Sequence, residues 1–237
     1  MTPRTCIPCE KIEEDCYDWY ARHACKLEEV RTKQADIVFI GDSITHFWCD
    51  ENNPNCFGVK TWEKYYGKRR TLNLGYGFDR TQNMLWRVRN GELNNQDPKA
   101  FVINAGTNQF SFTPRYSGDS PADVAEGVKT LIAELYNRFP KAGFLVMAVF
   151  PRLGEHDGVT LQSMIDELNR RVGDFVSALD RAKFIDISEQ FRTPDGAFDP
   201  SFFADGCCHP NEKGYEVWAA AIEPDLRRIL HEEAQNN

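Results

Sequence analysis

Four polar residues scattered along the chain have the types that acyl-transfer chemistry needs. Ser43 ends Gly41-Asp42-Ser43, Asn108 ends Gly106-Thr107-Asn108, and Asp205 and His209 share Asp205-Gly206-Cys207-Cys208-His209. A serine hydroxyl attacks poorly at neutral pH until a base takes its proton. The base needs an orienting group, and the oxygen that becomes negative needs fixed donors. Ser43 is the candidate nucleophile, His209 the base and Asp205 the orienter. The candidate oxyanion donors are the Asn108 side-chain amide and the backbone N–H groups of Ser43 and Phe78, the latter in the turn Gly75-Tyr76-Gly77-Phe78-Asp79. Each has an ordinary reading alone: a serine after Gly-Asp can cap a helix, and a loop histidine is commonly a surface residue. The argument rests on the set.

The elements that must position this set read as alternating strands and helices. Ala35 to Ile40 is a run of mostly apolar residues that stops at Gly-Asp-Ser, the pattern of a buried parallel strand with a sharp turn at its end. Further strands are expected at Arg70–Leu74, Ala100–Ala105, Phe144–Phe150 and Lys183–Ile187. Helices are expected at about Lys60–Tyr66, Arg80–Arg89, Pro121–Phe139 and Leu161–Leu179, with a closing helix through Val217, Trp218, Ile222 and Leu226. Such alternation predicts a five-stranded parallel sheet covered on both faces, with Ser43 and Asn108 just beyond strand carboxyl ends, where open α/β sheets keep their sites. A helix over about Glu10 to Lys33 precedes the first strand. This gives an N-terminal helical extension over residues 1–34 packed on a single domain, 35–237. His23, on that helix, reads as a packing residue.

Composition narrows the partners. The chain has 237 residues and a formal net charge of -8. With no basic block, binding to a phosphate backbone is not expected. No apolar run approaches the roughly 18 residues of a membrane span, and a monomer or homodimer is expected. The eight cysteines are unusual. Cys6-Ile7-Pro8-Cys9 has zinc-knuckle spacing without a second pair, whereas Cys49 and Cys56 flank the turn-rich Asn52-Asn53-Pro54-Asn55, which fits disulfides better. That places the chain in the periplasm or outside the cell, the cytoplasm being the alternative. No cofactor is expected. Trp48, Tyr76 and Phe110, in or near the site loops, are candidate substrate contacts that could stack on a sugar or hold a short acyl chain.

The order of these blocks resembles the SGNH (GDSL) hydrolase superfamily, and within it the platelet-activating-factor acetylhydrolase catalytic-subunit group. The carriers are Gly41-Asp42-Ser43; Leu72 through Asp79 with Leu85-Trp86-Arg87 and Asn90-Gly91-Glu92-Leu93; Gly106-Thr107-Asn108; and Asp205 through Asn211 with Gly214-Tyr215. The resemblance implies a three-layer α/β/α flavodoxin-like fold and metal-free ester hydrolysis. Ser43, His209 and Asp205 would be the triad, with Ser43, Phe78 and Asn108 forming the oxyanion hole. The chain departs from the family pattern twice. Phe78 stands where a glycine is usual, and three residues rather than two separate Asp205 from His209. A Cys207–Cys208 disulfide, a bulge at Gly206, or two buried thiols are the alternatives for the extra residue. The substrate reading is an acetyl or other short ester on a carbohydrate. A soluble lipid-like ester, or a non-catalytic carbohydrate-binding relative, are the alternatives.

Overall fold

A computed structural model describes residues 1–49, 55–156 and 159–232. Five parallel strands make the main sheet: β1 (Ile37–Gly41), β2 (Thr71–Gly75), β3 (Ala100–Asn104), β4 (Gly143–Met147) and β5 (Ala182–Ile185). Their spatial order is β2-β1-β3-β4-β5. The chain goes from β1 outward to β2 and then returns to the other side of β1 for β3. The crevice between β1 and β3 is therefore the switch point at which a doubly wound sheet of this order places its ligand. Register makes the crevice even-edged, because Gly41 pairs with both Gly75 and Asn104.

Alternation along the strands builds two cores. Val38, Ile40, Phe101, Ile103, Phe144 and Val146 face one side. There they meet α1 (Trp19–Thr32), α4 (Thr81–Arg89), α5 (Pro121–Arg138) and α6 (Leu161–Val176) through residues such as Val30, Leu85, Leu131 and Ile165. Ile37, Phe39, Val102, Leu145 and Met147 face the other side, with α3 (Val59–Tyr66) and α7 (Glu212–Leu230) supplying Tyr66, Trp218, Ile222 and Leu226. At about 1.5–3 kcal/mol for each large apolar side chain fully buried, these two layers hold the strand ends that carry the site. The short helix α2 (Ser43–His46) follows β1 directly. Among the described residues no helix is long and apolar enough to cross a membrane.

Three expectations change. The first helix begins at Trp19, not Glu10, because the Asp18 carboxylate accepts the Tyr20 and Ala21 N–H groups and so caps the start. Residues 1–18 instead run irregularly across the body, tied to it by Thr5 O accepting from the Thr81 hydroxyl and Glu10 O accepting from Asn83 Nδ2. Trp48, Tyr76 and Phe110 are buried, not substrate-facing. Trp48 stacks on Tyr215 in the α7-side core, Phe110 joins the opposite core, and the Tyr76 hydroxyl donates a hydrogen bond to Glu92 beneath the Arg87 guanidinium. The cysteines carry thiols and no disulfide forms among them. The Asn52-Asn53-Pro54 turn lies outside the described residues.

Candidate active site

Ser43 opens α2 immediately after β1. Gly41 permits the return, since a Cβ on it would lie 2.1 Å from Thr45 Oγ1 and 2.7 Å from the Asn104 carbonyl oxygen. Asp42, not Ser43, is the cap: its carboxylate accepts the Ile44 N–H, leaving the Ser43 hydroxyl for other work. That hydroxyl lies 2.9 Å from His209 Nε2, and His209 Nδ1 lies 2.6 Å from Asp205 Oδ2. When Nδ1 carries the proton and donates it to the carboxylate, Nε2 is bare and accepts from Ser43. The Phe47 ring packs 5.1 Å from the imidazole and limits its swing.

Asp205 reaches His209 despite the extra residue because Gly206 takes a positive φ of 73°, bulging the chain while Cys207 and Cys208 remain thiols. The Asp205 Oδ1 atom accepts the N–H groups of Cys207, Cys208 and His209 at 2.8–3.1 Å. Partial burial by itself would raise the Asp205 pKa. These N–H bonds and the imidazole outweigh it and hold the carboxyl well below the ordinary carboxylate range. The Asp205 carboxyl is thus ionised throughout the neutral range. Cys208 is buried, and burial pushes its thiol up to about 12, so it is an inert packing group beside the histidine.

Phe78 and Asn108 line the same cavity as Ser43. The turn after β2 closes with the Asp79 N–H donating to the Tyr76 carbonyl, and Phe78 sits in it with φ 58°. Among the described residues the Ser43 and Phe78 N–H groups find no backbone acceptor. Asn108, in the 3-10 turn Thr107–Phe110 after β3, donates from Nδ2 to the Asp79 carbonyl at 3.1 Å. Its second N–H remains for a ligand. Ser43, Phe78, Asn108, Asp205 and His209 all line one cavity of about 390 Å³.

That cavity also draws on residues the sequence did not single out: Asp15, Asn55, Phe57, Ser111 and Arg152. Arg152 follows β4 and donates from Nη1 to the Thr107 hydroxyl and carbonyl. Its place beyond a strand carboxyl end was a readable signal. Asp15 had none, because it arrives on an irregular segment whose path no local pattern specifies.

Behind the site, His23 turns out to be a network member, with Nδ1 2.8 Å from Glu92 Oε1. Arg87 joins Asp79 and Glu92 in the same buried cluster, and Trp19 Nε1 donates to Asp79. Among the described residues no cluster of three His, Cys, Asp or Glu side chains is set to hold a metal ion.

Residues 39–217 match the GDSL-like Lipase/Acylhydrolase family. The chain belongs to that family. This GDSL hydrolase is 30% identical over 216 residues to platelet-activating factor acetylhydrolase IB subunit alpha1 of Bos taurus, covering 90% of this chain and 84% of the relative. It is 28% identical over 214 residues to the alpha2 subunit of Rattus norvegicus, covering 90% and 86%. Among solved structures, a GDSL-like lipase from Bacteroides thetaiotaomicron superposes with a TM-score of 0.66 at 21% identity, covering 88% of this chain and 97% of that one. An acetylxylan esterase from Geobacillus stearothermophilus superposes with a TM-score of 0.62 at 18% identity, covering 82% and 94%. The GDSL hydrolase is a carboxylic ester hydrolase with the α/β architecture expected from its sequence.

Proposed function

We propose that this hydrolase removes short acyl groups, acetyl above all, from carbohydrate esters, with Ser43 as nucleophile. Ser43 Oγ attacks the ester carbonyl carbon as its proton passes to His209 Nε2, and Asp205 stabilises the imidazolium through Nδ1. The carbonyl oxygen, now negative, takes hydrogen bonds from the Ser43 and Phe78 N–H groups and from Asn108 Nδ2. His209 then gives its proton to the departing alkoxide, leaving an acyl-serine. A water molecule, deprotonated by the same imidazole, releases the carboxylic acid and returns the serine. Nucleophile, base, orienter and donors are all side-chain or backbone groups of this chain, so the scheme needs no metal.

The observation that carries the reading is the unbroken Asp205–His209–Ser43 line opening into the cavity. A cavity of about 390 Å³ with Phe47, Phe57 and Phe78 on its wall suits a small acyl group. Asp15, Asn55, Ser111 and Arg152 add polar groups able to meet sugar hydroxyls. A solved neighbour titled an acetylxylan esterase supports the carbohydrate side. The relatives named platelet-activating factor acetylhydrolase support a second reading, an acetyl ester on a soluble lipid-like alcohol.

An acyl-length series of p-nitrophenyl esters, run beside acetylated xylo-oligosaccharides and a soluble acetylated lipid analogue, tests both parts. The expected result is a rate that falls steeply beyond the shortest chains, with turnover of the acetylated sugar and none by Ser43→Ala. Faster turnover of the lipid analogue selects the second reading. Equal rates for wild type and Ser43→Ala remove Ser43 from the reaction.

A further inference from the structure

The turn that offers the Phe78 N–H is built against its own residue preference. Tyr76 to Asp79 form a β-turn closed by the Asp79 N–H on the Tyr76 carbonyl, and it is Phe78, not Gly77, that has the positive φ. A positive φ at the third position is what a type II turn requires, and glycine is the residue that adopts it without strain. A side chain at that position favours the type I turn, reached by flipping the central peptide between Gly77 and Phe78. The flip would reverse the direction of the Phe78 N–H, which on the proposed reading faces the oxyanion. Something must hold the peptide in the observed sense.

One side chain holds this peptide, from outside the main body, and a second holds the Tyr76–Gly77 peptide just before it. The Gly77 N–H donates to His46 Nδ1 at 3.2 Å, and the Gly77 carbonyl accepts the Tyr17 hydroxyl at 3.1 Å. That carbonyl belongs to the same planar trans unit as the Phe78 N–H, so fixing the direction of one fixes the other, pointing oppositely. A hydrogen bond at the carbonyl also polarises the unit and makes its N–H a stronger donor. Tyr17 is itself held, its ring edge-on to His46 with centroids 4.7 Å apart, just ahead of the Asp18 cap of α1.

We propose that Tyr17 is a positioning residue of the oxyanion hole, aiming the Phe78 N–H by holding the Gly77 carbonyl. The irregular segment ahead of α1 thereby becomes part of the catalytic machinery, although it lies outside the span matched by the family. The inference rests on the reading that the Phe78 N–H receives the oxyanion.

The test compares Tyr17→Phe in three backgrounds: wild type, Phe78→Gly and Phe78→Ala, with p-nitrophenyl acetate as substrate. Tyr17→Phe removes one hydroxyl and keeps the ring packing. In the wild-type background kcat is expected to fall about five- to tenfold with KM within about twofold, the size of one hydrogen bond felt mainly in the transition state. Glycine at 78 favours the observed turn without help, so in that background the Tyr17→Phe loss should shrink to less than about twofold. Alanine removes the same aromatic ring but keeps the strain, so there the loss should persist. An unchanged kcat in Tyr17→Phe, or an equal loss in the glycine background, overturns the proposal. General unfolding would give that equal loss. Ser43→Ala assayed in parallel separates the two levels: if it stays active the site reading fails, and if it is dead while Tyr17→Phe is fully active only the role of Tyr17 fails.

Discussion

Asp205 divides its two oxygens between backbone and imidazole. Oδ1 gathers the three N–H groups of residues 207–209, and Oδ2 faces His209 Nδ1. The bulge at Gly206 and the ring contact are therefore one structure, and the added residue is the source of one of those N–H groups. Asp205→Asn keeps a carbonyl oxygen for the N–H groups but turns an amide toward Nδ1, forcing the proton onto Nε2, where it blocks acceptance from Ser43. With the fold intact, kcat should drop about 10³–10⁴-fold while KM changes little, as steady-state kinetics beside a circular dichroism spectrum will show. Turnover near normal would mean that the carboxylate does not hold the imidazole.

At the scale of elements, the site depends on how α1, α4 and the turn after β2 are locked together. Arg87 on α4 donates to Asp79, Glu92 and the Leu74 carbonyl, all buried, and its guanidinium lies over the Tyr76 ring. Asp79 passes the constraint on, since its carbonyl holds Asn108 and its carboxylate holds Trp19 at the start of α1. Arg87→Met keeps the volume and removes the charge, stranding two buried carboxylates. Stability should fall by about 3–5 kcal/mol, the usual result of breaking a buried pair from one side, and a urea-denaturation midpoint measures it. A loss of under about 1 kcal/mol would mean that the cluster is already relaxed in the folded protein.

For the molecule as a whole, two carboxylates near the site tilt stability with pH in opposite ways. Burial raises the Asp42 pKa from 3.8 to about 7, and among the described residues its Oδ2 has no hydrogen-bond partner. Between those values the folded state keeps a proton that the unfolded state has lost, so stability declines as pH rises from about 4 to about 7. Asp205, with its pKa depressed, contributes stability present above its unfolded value and lost as pH falls through acid toward its folded value. Asp42→Asn keeps an oxygen for the Ile44 N–H and cannot ionise. Its melting temperature relative to wild type should therefore climb from pH 4 to pH 7 and level off above. A difference that is flat with pH would show that Asp42 does not change charge on folding over this range.

The sequence by itself determined the sheet, its parallel sense and the strand ends that carry Ser43 and Asn108, because a buried strand and the turn that ends it are written in adjacent residues. It also determined the triad candidates, each marked by a polar side chain in a loop. It misjudged Trp48, Tyr76 and Phe110, since position near a site loop says nothing about which way a ring points, and the packing of Tyr215, Arg87 and the α5-side core drew all three inward. It could not foresee Asp15 on the cavity wall or Tyr17 against the Gly77 carbonyl. The path of residues 1–18 is set by hydrogen bonds to Gly77, Arg80, Thr81 and Asn83, long-range contacts that no local period encodes. The resolution of the extra residue before His209 was likewise a tertiary decision. Three N–H groups closing on one carboxylate oxygen favour a glycine bulge over a strained ring between neighbouring cysteines, and the contact of His209 with Ser43, 166 residues away, is what the bulge then serves.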